Sequence, residues 1–174
     1  RDVHPHNFEI SKAQGEFLYD ASGKKYIDFI SGWNVANLGW NHPEIVAAVR
    51  AQLDKNVCTT IWNSCEKQNR YAETLTAALP GDLKCCIRTT SGTEAIEVSI
   101  KVARAATGRS GIIGFKKAYH GQLFASMALC MPEAVHKALD PLVPQIEQWD
   151  YPLTQEELSE FLTKLETRLA KRDI

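Results

Sequence analysis

No stretch of this 174-residue sequence gathers lysine and arginine into a dense block, and twenty basic against twenty-one acidic residues leave a formal net charge of −1. Such a balance excludes a phosphodiester backbone as partner, since nucleic-acid binding needs a basic face. The sequence also lacks the run of about 18 apolar residues that a membrane-spanning helix requires. Its opening, RDVHPHNFEI, has no apolar secretory core, so a cytoplasmic protein with no membrane partner is expected. The cysteines, Cys58, Cys65, Cys85, Cys86 and Cys130, are odd in number and make no C-x-x-C pair. Neither a metal site nor a complete disulfide framework is indicated, and reduced, mostly buried thiols are the expectation. Internal repeats and low-complexity linkers are absent, and MPEAVHKALDPLVP is too mixed in composition to mark a domain boundary.

What remains is an ordinary globular composition, 44 % hydrophobic. EFLYDASGKKYIDF predicts a hairpin, with two aromatic and β-branched strands flanking a turn at Asp20, Ser22 and Gly23. After the irregular SGWNVANLGWNH, Pro43 opens a helix with Ile45, Val49 and Leu53 on one face. A second helix runs from near Ser64 to Pro80 and Gly81, with Tyr71, Leu75 and Leu79 as its inner stripe. KCCIRT (84–89) reads as a buried strand, a helix follows to Gly108, and GIIGF (111–115) reads as the next strand. Strand, helix, strand implies a parallel sheet covered by helices, hence an α/β fold. A last helix opens at the T-x-x-E box of Thr154 and Glu157 and carries Leu158, Phe161, Leu162, Leu165 and Leu169 at helical spacing. Because two core strands cannot cover so many apolar helix faces, the sequence is expected to be part of a larger protein.

TTSGTEAIEVSIKVARAATGR (89–109) carries the chemistry. Ser91 and Glu94 fit an S-x-x-E capping box, in which the Ser hydroxyl takes an N–H of the first turn and the Glu carboxylate returns to the N-cap N–H. The N–H groups of Gly92 and Thr93 are then left at the positive end of the helix dipole, a preformed anion site that Gly92 keeps open for want of a Cβ. Most short S-x-x-E matches are only caps, but strand ends in parallel sheets are where ligands sit, which favours an anion here. Glu97 and Lys101 read as an i, i+4 pair on a solvated or partner-facing side. Just past the second strand, AYHG (118–121) puts Tyr119 where a flat ring can stack on a heteroaromatic cofactor; packing is the plainer account of a Tyr and a His at such a place. Together the two features point to a phosphorylated planar cofactor.

Four ordered stretches, GEFLYDASGKKYIDF, NLGWNHPEIVAAVRAQL, SGTEAIEVSIKVAR and GFKKAYHG, resemble the N-terminal half of class III aminotransferases. These are pyridoxal 5′-phosphate (PLP) enzymes of fold type I that include ornithine, acetylornithine, 4-aminobutyrate and ω-amino acid transaminases. The resemblance spans about Gly15 to Tyr151. It implies transfer of an amino group from an amino acid or amine to an oxo acid or aldehyde, a homodimer, and an incomplete PLP-binding large domain over 56–174. Residues 1–55, with the β-hairpin, would belong to the small domain. It further implies that Ser91, Gly92 and Thr93 hold the cofactor phosphate, that Tyr119 stacks on the pyridine ring with His120 beside it, and that Trp33 lines the substrate pocket. Simple packing is an equal account of Trp33.

Two departures from the family pattern stand out. Trp40 occupies a place where many relatives have His after NLG. No residue here corresponds to the lysine that binds the cofactor covalently, or to the aspartate that pairs with the pyridine nitrogen; both are expected downstream of Ile174. No catalytic residue is therefore assigned within this chain, and the 174 residues alone are expected to be inactive. Aminomutase, racemase and decarboxylating members of the family are the alternatives, as is a non-catalytic interaction module derived from it.

Overall fold

The computed structural model describes residues 9–55, 63–130, 137–139 and 143–174. Cys58 and much of MPEAVHKALDPLVP lie outside the described residues. The chain divides into two compact units, Arg1–Leu75 and Thr76–Ile174.

In the first unit, β1 (Ile10–Gln14), β2 (Phe17–Asp20) and β3 (Lys25–Ile27) form an antiparallel meander in which Phe17 faces Ile27 and Ala13 faces Leu18. The expected hairpin is thus β2 and β3, and β1 is an addition to it. One carboxylate organises the turn: Asp20 Oδ1 accepts from Ser22 N (2.9 Å), Ser22 Oγ (2.6 Å) and Lys24 N (3.0 Å), and Oδ2 from the Tyr26 hydroxyl (3.0 Å). Gly23, at φ 84°, takes the left-handed position that closes it. A short turn α1 (Ser31–Asn34) follows, then α2 (Pro43–Leu53), with Pro43 in its first turn as expected. α3 (Glu66–Ala78) crosses from the first unit into the second. The apolar stripes expected to be inner are open on both helices, with Ile45, Val49, Leu53 and Tyr71 all exposed and only Leu75 half-buried. Periodicity marks which face is apolar, and says nothing about what covers it.

The second unit departs more from expectation. KCCIRT is neither strand nor buried: residues 84–88 are irregular and exposed, with Ile87 63 % accessible. An apolar strand of a parallel sheet needs neighbours to satisfy its backbone, and none pairs with this segment among the described residues. Cys85 and Cys86 are accordingly exposed, against the expectation of burial, while Cys65 is half-buried and Cys130 buried; all four are free thiols. α4 (Gly92–Thr107) ends at Gly108, φ 68°, and β4 (Ile112–Phe115) follows as GIIGF indicated. The parallel partner of β4 is the strand that follows it and not the preceding KCCIRT segment: β4 pairs with β5 (Ile146–Trp149), with Ile112 opposite Ile146 and Phe115 opposite Trp149. Between them α5 (Phe124–Ala128) packs so closely that a Cβ at Gly114 would stand 2.5 Å from the Leu129 carbonyl oxygen.

The core gathers here. Ile100, Ala125, Leu129 and Cys130 are buried together, with Ile96, Ile112, Ala118, Val143 and Ile146 against them. α6 (Gln155–Leu169) opens on the expected box, Thr154 Oγ1 accepting from Glu157 N (3.2 Å) while Glu157 accepts from Thr154 N (3.1 Å). Its Phe161 lies 5.9 Å from the Phe115 ring and 5.7 Å edge-on to Trp149, which seats the helix on the strand pair. Arg168 adds a 2.6 Å bond to Glu147, holding that carboxyl below its usual range. No helix among the described residues is long and apolar enough to cross a membrane.

Candidate functional site

The N-terminus of α4 is built by its own side chains. Ser91, extended at φ −154° and ψ 162°, is the N-cap, and its Oγ accepts from Glu94 N at 3.1 Å. The reciprocal bond differs from expectation: Glu94 Oε2 reaches Thr90, not Ser91, accepting from its N–H at 2.6 Å and its hydroxyl at 2.7 Å. Two donors on Thr90 outcompete one on Ser91, and the Thr90 backbone bond is the first cause of the lowered Glu94 pKa, ahead of its side-chain bond. The turn entering the helix is thereby tied one residue earlier. Gly92 N–H and Thr93 N–H take no acceptor among the described residues, and nothing lies within 4 Å of where a Cβ on Gly92 would stand. Two donors without an acceptor, beside open space at a helix N-terminus, are what binding an anion requires.

The AYHG loop is held against this helix mouth. Gly121 adopts φ 115°, open to glycine alone, and a Cβ there would fall 2.2 Å from Thr93 Oγ1. The fold thus brings the loop carrying Tyr119 and His120 against the side chain of Thr93. His120 N donates to Cys130 Sγ at 3.3 Å, and Cys130 Sγ lies 3.2 Å from the Ser126 carbonyl. Tyr119 itself is 55 % exposed.

Glu97 requires a correction. Its Oε1 accepts from Ala125 N (3.0 Å) and Ser126 N (2.8 Å), so it is half-buried and caps α5 rather than standing on a solvated face with Lys101. The orphan donors of a short helix need an acceptor, and an anionic one is the strongest available. Sequence passed over Thr90, and it marked Glu97 only as the partner of Lys101 and Cys130 only as a buried thiol. The partners of Glu97 lie in α5, 28 and 29 residues on, and His120 lies ten residues before Cys130, whereas Thr90 bonds Glu94 four residues away and had a local signal beside the S-x-x-E box.

Trp33 belongs to the first unit. Ser31, Gly32, Trp33 and Asn34 all have positive φ, between 54° and 65°, a left-handed turn that costs each L residue about 1–2 kcal/mol. Trp33 stands at its middle, 68 % exposed. Trp40 lies under it: a Cβ on Gly32 would meet the Trp40 ring at 2.6 Å, and Trp40 exchanges backbone bonds with Gly15 at 2.8 and 2.9 Å.

Comparison with known proteins fits these observations. The sequence matches the family described as aminotransferase class-III over residues 1–173. It is 37 % identical over 154 residues to the 5-aminovalerate aminotransferase DavT of Pseudomonas aeruginosa, covering 80 % of this chain and 35 % of that enzyme. The structure resembles an (S)-enantioselective omega-transaminase from Thermomicrobium roseum, with a TM-score of 0.87 and 25 % identity over 98 % of this chain and 44 % of that one. A taurine:2-oxoglutarate aminotransferase from Bifidobacterium kashiwanohense, solved with PLP and glutamate, matches with a TM-score of 0.83 and 25 % identity over 98 % of this chain and 42 % of its own. This chain therefore spans between about a third and less than half of the length of these proteins. A capped helix mouth with open donors, a glycine-locked aromatic loop and a sequence match from end to end converge on one conclusion: the chain belongs to the class III aminotransferases and carries part of their α/β fold.

Proposed function

We propose that this chain holds PLP by its phosphate end, within a protein that transfers an amino group from an amino acid or amine to an oxo acid or aldehyde. The observation that carries the reading is the pair of open donors on Gly92 and Thr93, with the AYHG loop locked against Thr93. A phosphate dianion would take the two N–H groups and the Ser91 or Thr93 hydroxyl at the positive end of α4, in the space Gly92 leaves free. Tyr119 would lie against the cofactor ring, with His120 beside it, and the bond from His120 N to Cys130 holds the loop in place. PLP supplies the electron sink that makes an amino acid α-proton removable. What these residues do is bind, orient and exclude water; no lysine of residues 1–174 is assigned the covalent link.

Trp33 is assigned to the substrate pocket, where its indole would meet the carbon chain of the amino donor. Residues 1–55 go with the small domain and 56–174 with the large one, in a cytoplasmic homodimer of the kind the family resemblance implies. The first relatives differ in substrate, 5-aminovalerate for one and taurine for another, so donor and acceptor stay unassigned.

Absorption spectroscopy of the full-length gene product, with PLP added, free cofactor removed and borohydride then applied, tests the reading. A band at roughly 410–430 nm is expected, which borohydride bleaches as hydride reduces the C=N bond and leaves the cofactor fixed to the protein. Replacing Gly92 by Val, which fills the seat, should weaken PLP retention without unfolding α4. A full-length product with no such band would remove the cofactor reading and leave the interaction module as the alternative.

A further inference from the structure

We infer that Asp28 is a positioning residue, its carboxylate holding the left-handed turn that presents Trp33. The inference rests on the pocket reading of Trp33 and deepens it. Ser31, Gly32, Trp33 and Asn34 run through four consecutive positive φ angles, and three of them are L residues that disfavour the region sterically. A turn of that kind persists only where its surroundings over-determine it. Its own bonds, from Asn34 N to the Ile30 carbonyl (3.1 Å) and from Val35 N and Ala36 N to the Ser31 carbonyl (3.0 and 2.9 Å), close it downstream.

Upstream, the acceptor is one side chain. Asp28 Oδ1 accepts from Ile30 N (3.0 Å) and Ser31 N (2.8 Å), and Oδ2 from Gly32 N (3.0 Å) and Trp40 Nε1 (2.8 Å). Four donors converge on a group that accepts everything and donates nothing, which a carboxylate alone among side chains of this size does. The Trp40 ring, held by that fourth bond, fills the space beneath Gly32. Trp40 therefore has a definite place here, at a position where many relatives of the resembled family have His: floor and donor of the Trp33 turn. Backbone and indole are fixed together, and the exposed Trp33 side chain is carried on the result.

Asp28→Asn is the informative variant, because its amide nitrogen must face an N–H donor on one side of the shell whichever way it flips. Amide exchange across 30–36 in the chain, and KM and kcat in the full-length enzyme, are the two readouts. Expected is exchange faster by about tenfold over 30–36 with β1 to β3 unaffected, and KM for the amino donor up by about tenfold with kcat within about twofold. Trp33→Ala should raise KM comparably, and the double variant should add little to either, as two residues serving one surface do. Should Asp28→Asn fail to fold, Trp40→Phe replaces the indole by a smaller aromatic ring, removes one donor and should give a smaller change of the same kind. Unchanged exchange in Asp28→Asn beside a raised KM in Trp33→Ala overturns the inference alone. Unchanged KM in Trp33→Ala overturns the pocket reading itself, and the role of Asp28 in presenting that side chain falls with it.

Discussion

At Gly121 the molecule tolerates one residue type for two independent reasons, its φ of 115° and the Thr93 side chain where a Cβ would be. Gly121→Ala should therefore destabilise the second unit by about 2 kcal/mol or more and weaken PLP binding in the full-length protein, measured by chemical denaturation and cofactor titration. Gly92→Ala is the contrasting case, since φ there is ordinary and the space is open; its stability should hold while cofactor affinity falls. At Asp28 the bond from Trp40, then those from Ile30, Ser31 and Gly32, lower the carboxyl below the 3.8 usual for an aspartate. The sign follows from the depressed folded value: the unfolded state binds the proton more readily, so the stabilisation is complete above the unfolded pKa and is lost as pH falls through the folded one. The urea-midpoint difference between the native chain and Asp28→Asn should thus be flat above about pH 5 and shrink below the unfolded value. A difference that grows on acidification would contradict the four-donor geometry.

Among the elements, the helix termini carry the strongest local information. Thr154→Ala should cost about 1 kcal/mol, because the box with Glu157 satisfies donors that nothing else reaches, and a thermal melt would read it directly. Glu97→Gln acts across elements instead. It keeps an acceptor for Ala125 N and Ser126 N but removes the charge, so α5 should loosen by about 1 kcal/mol while α4 stays intact. Amide exchange at Ala125 and Ser126 checks this, and unaltered protection there would show the charge to be dispensable. The caps of α4 and α6 were legible because S-x-x-E and T-x-x-E place donor and acceptor within one turn. The partner of Glu97 was not, because it lies 28 residues away. The Glu94 bond to Thr90 shows the intermediate case, with the right carboxylate and a target displaced by one residue.

Across the whole molecule, the second unit is organised around β4, β5 and α5, and the KCCIRT segment lies outside that order. Hydrogen exchange of the 174-residue chain should show 84–88 exchanging fast and 112–115 slowly, since among the described residues only the latter has a ladder partner. Slow exchange at 84–88 would mean that the segment pairs after all. Exposed Ile45, Val49, Leu53 and Val102 tell the same story for the helices, apolar surface that periodicity identifies and that the described elements leave open.

By itself the sequence determined whatever is decided within about one turn or one hairpin: the Asp20 to Gly23 turn, Pro43 at the head of α2, the Ser91 cap of α4, the helix end at Gly108 and the GIIGF strand. Those features are local because their bonds close over a few residues, and side-chain type suffices to specify them. Only the tertiary structure decided that β4 pairs with β5, that Gly121 meets Thr93, that Glu97 serves α5 and that Asp28 gathers Trp40 into the turn below Trp33. Strand pairing and side-chain acceptors reached across a fold depend on which surfaces are brought into register. That choice is made by burial of the Ile100, Leu129 and Cys130 core, not by any short pattern along the chain.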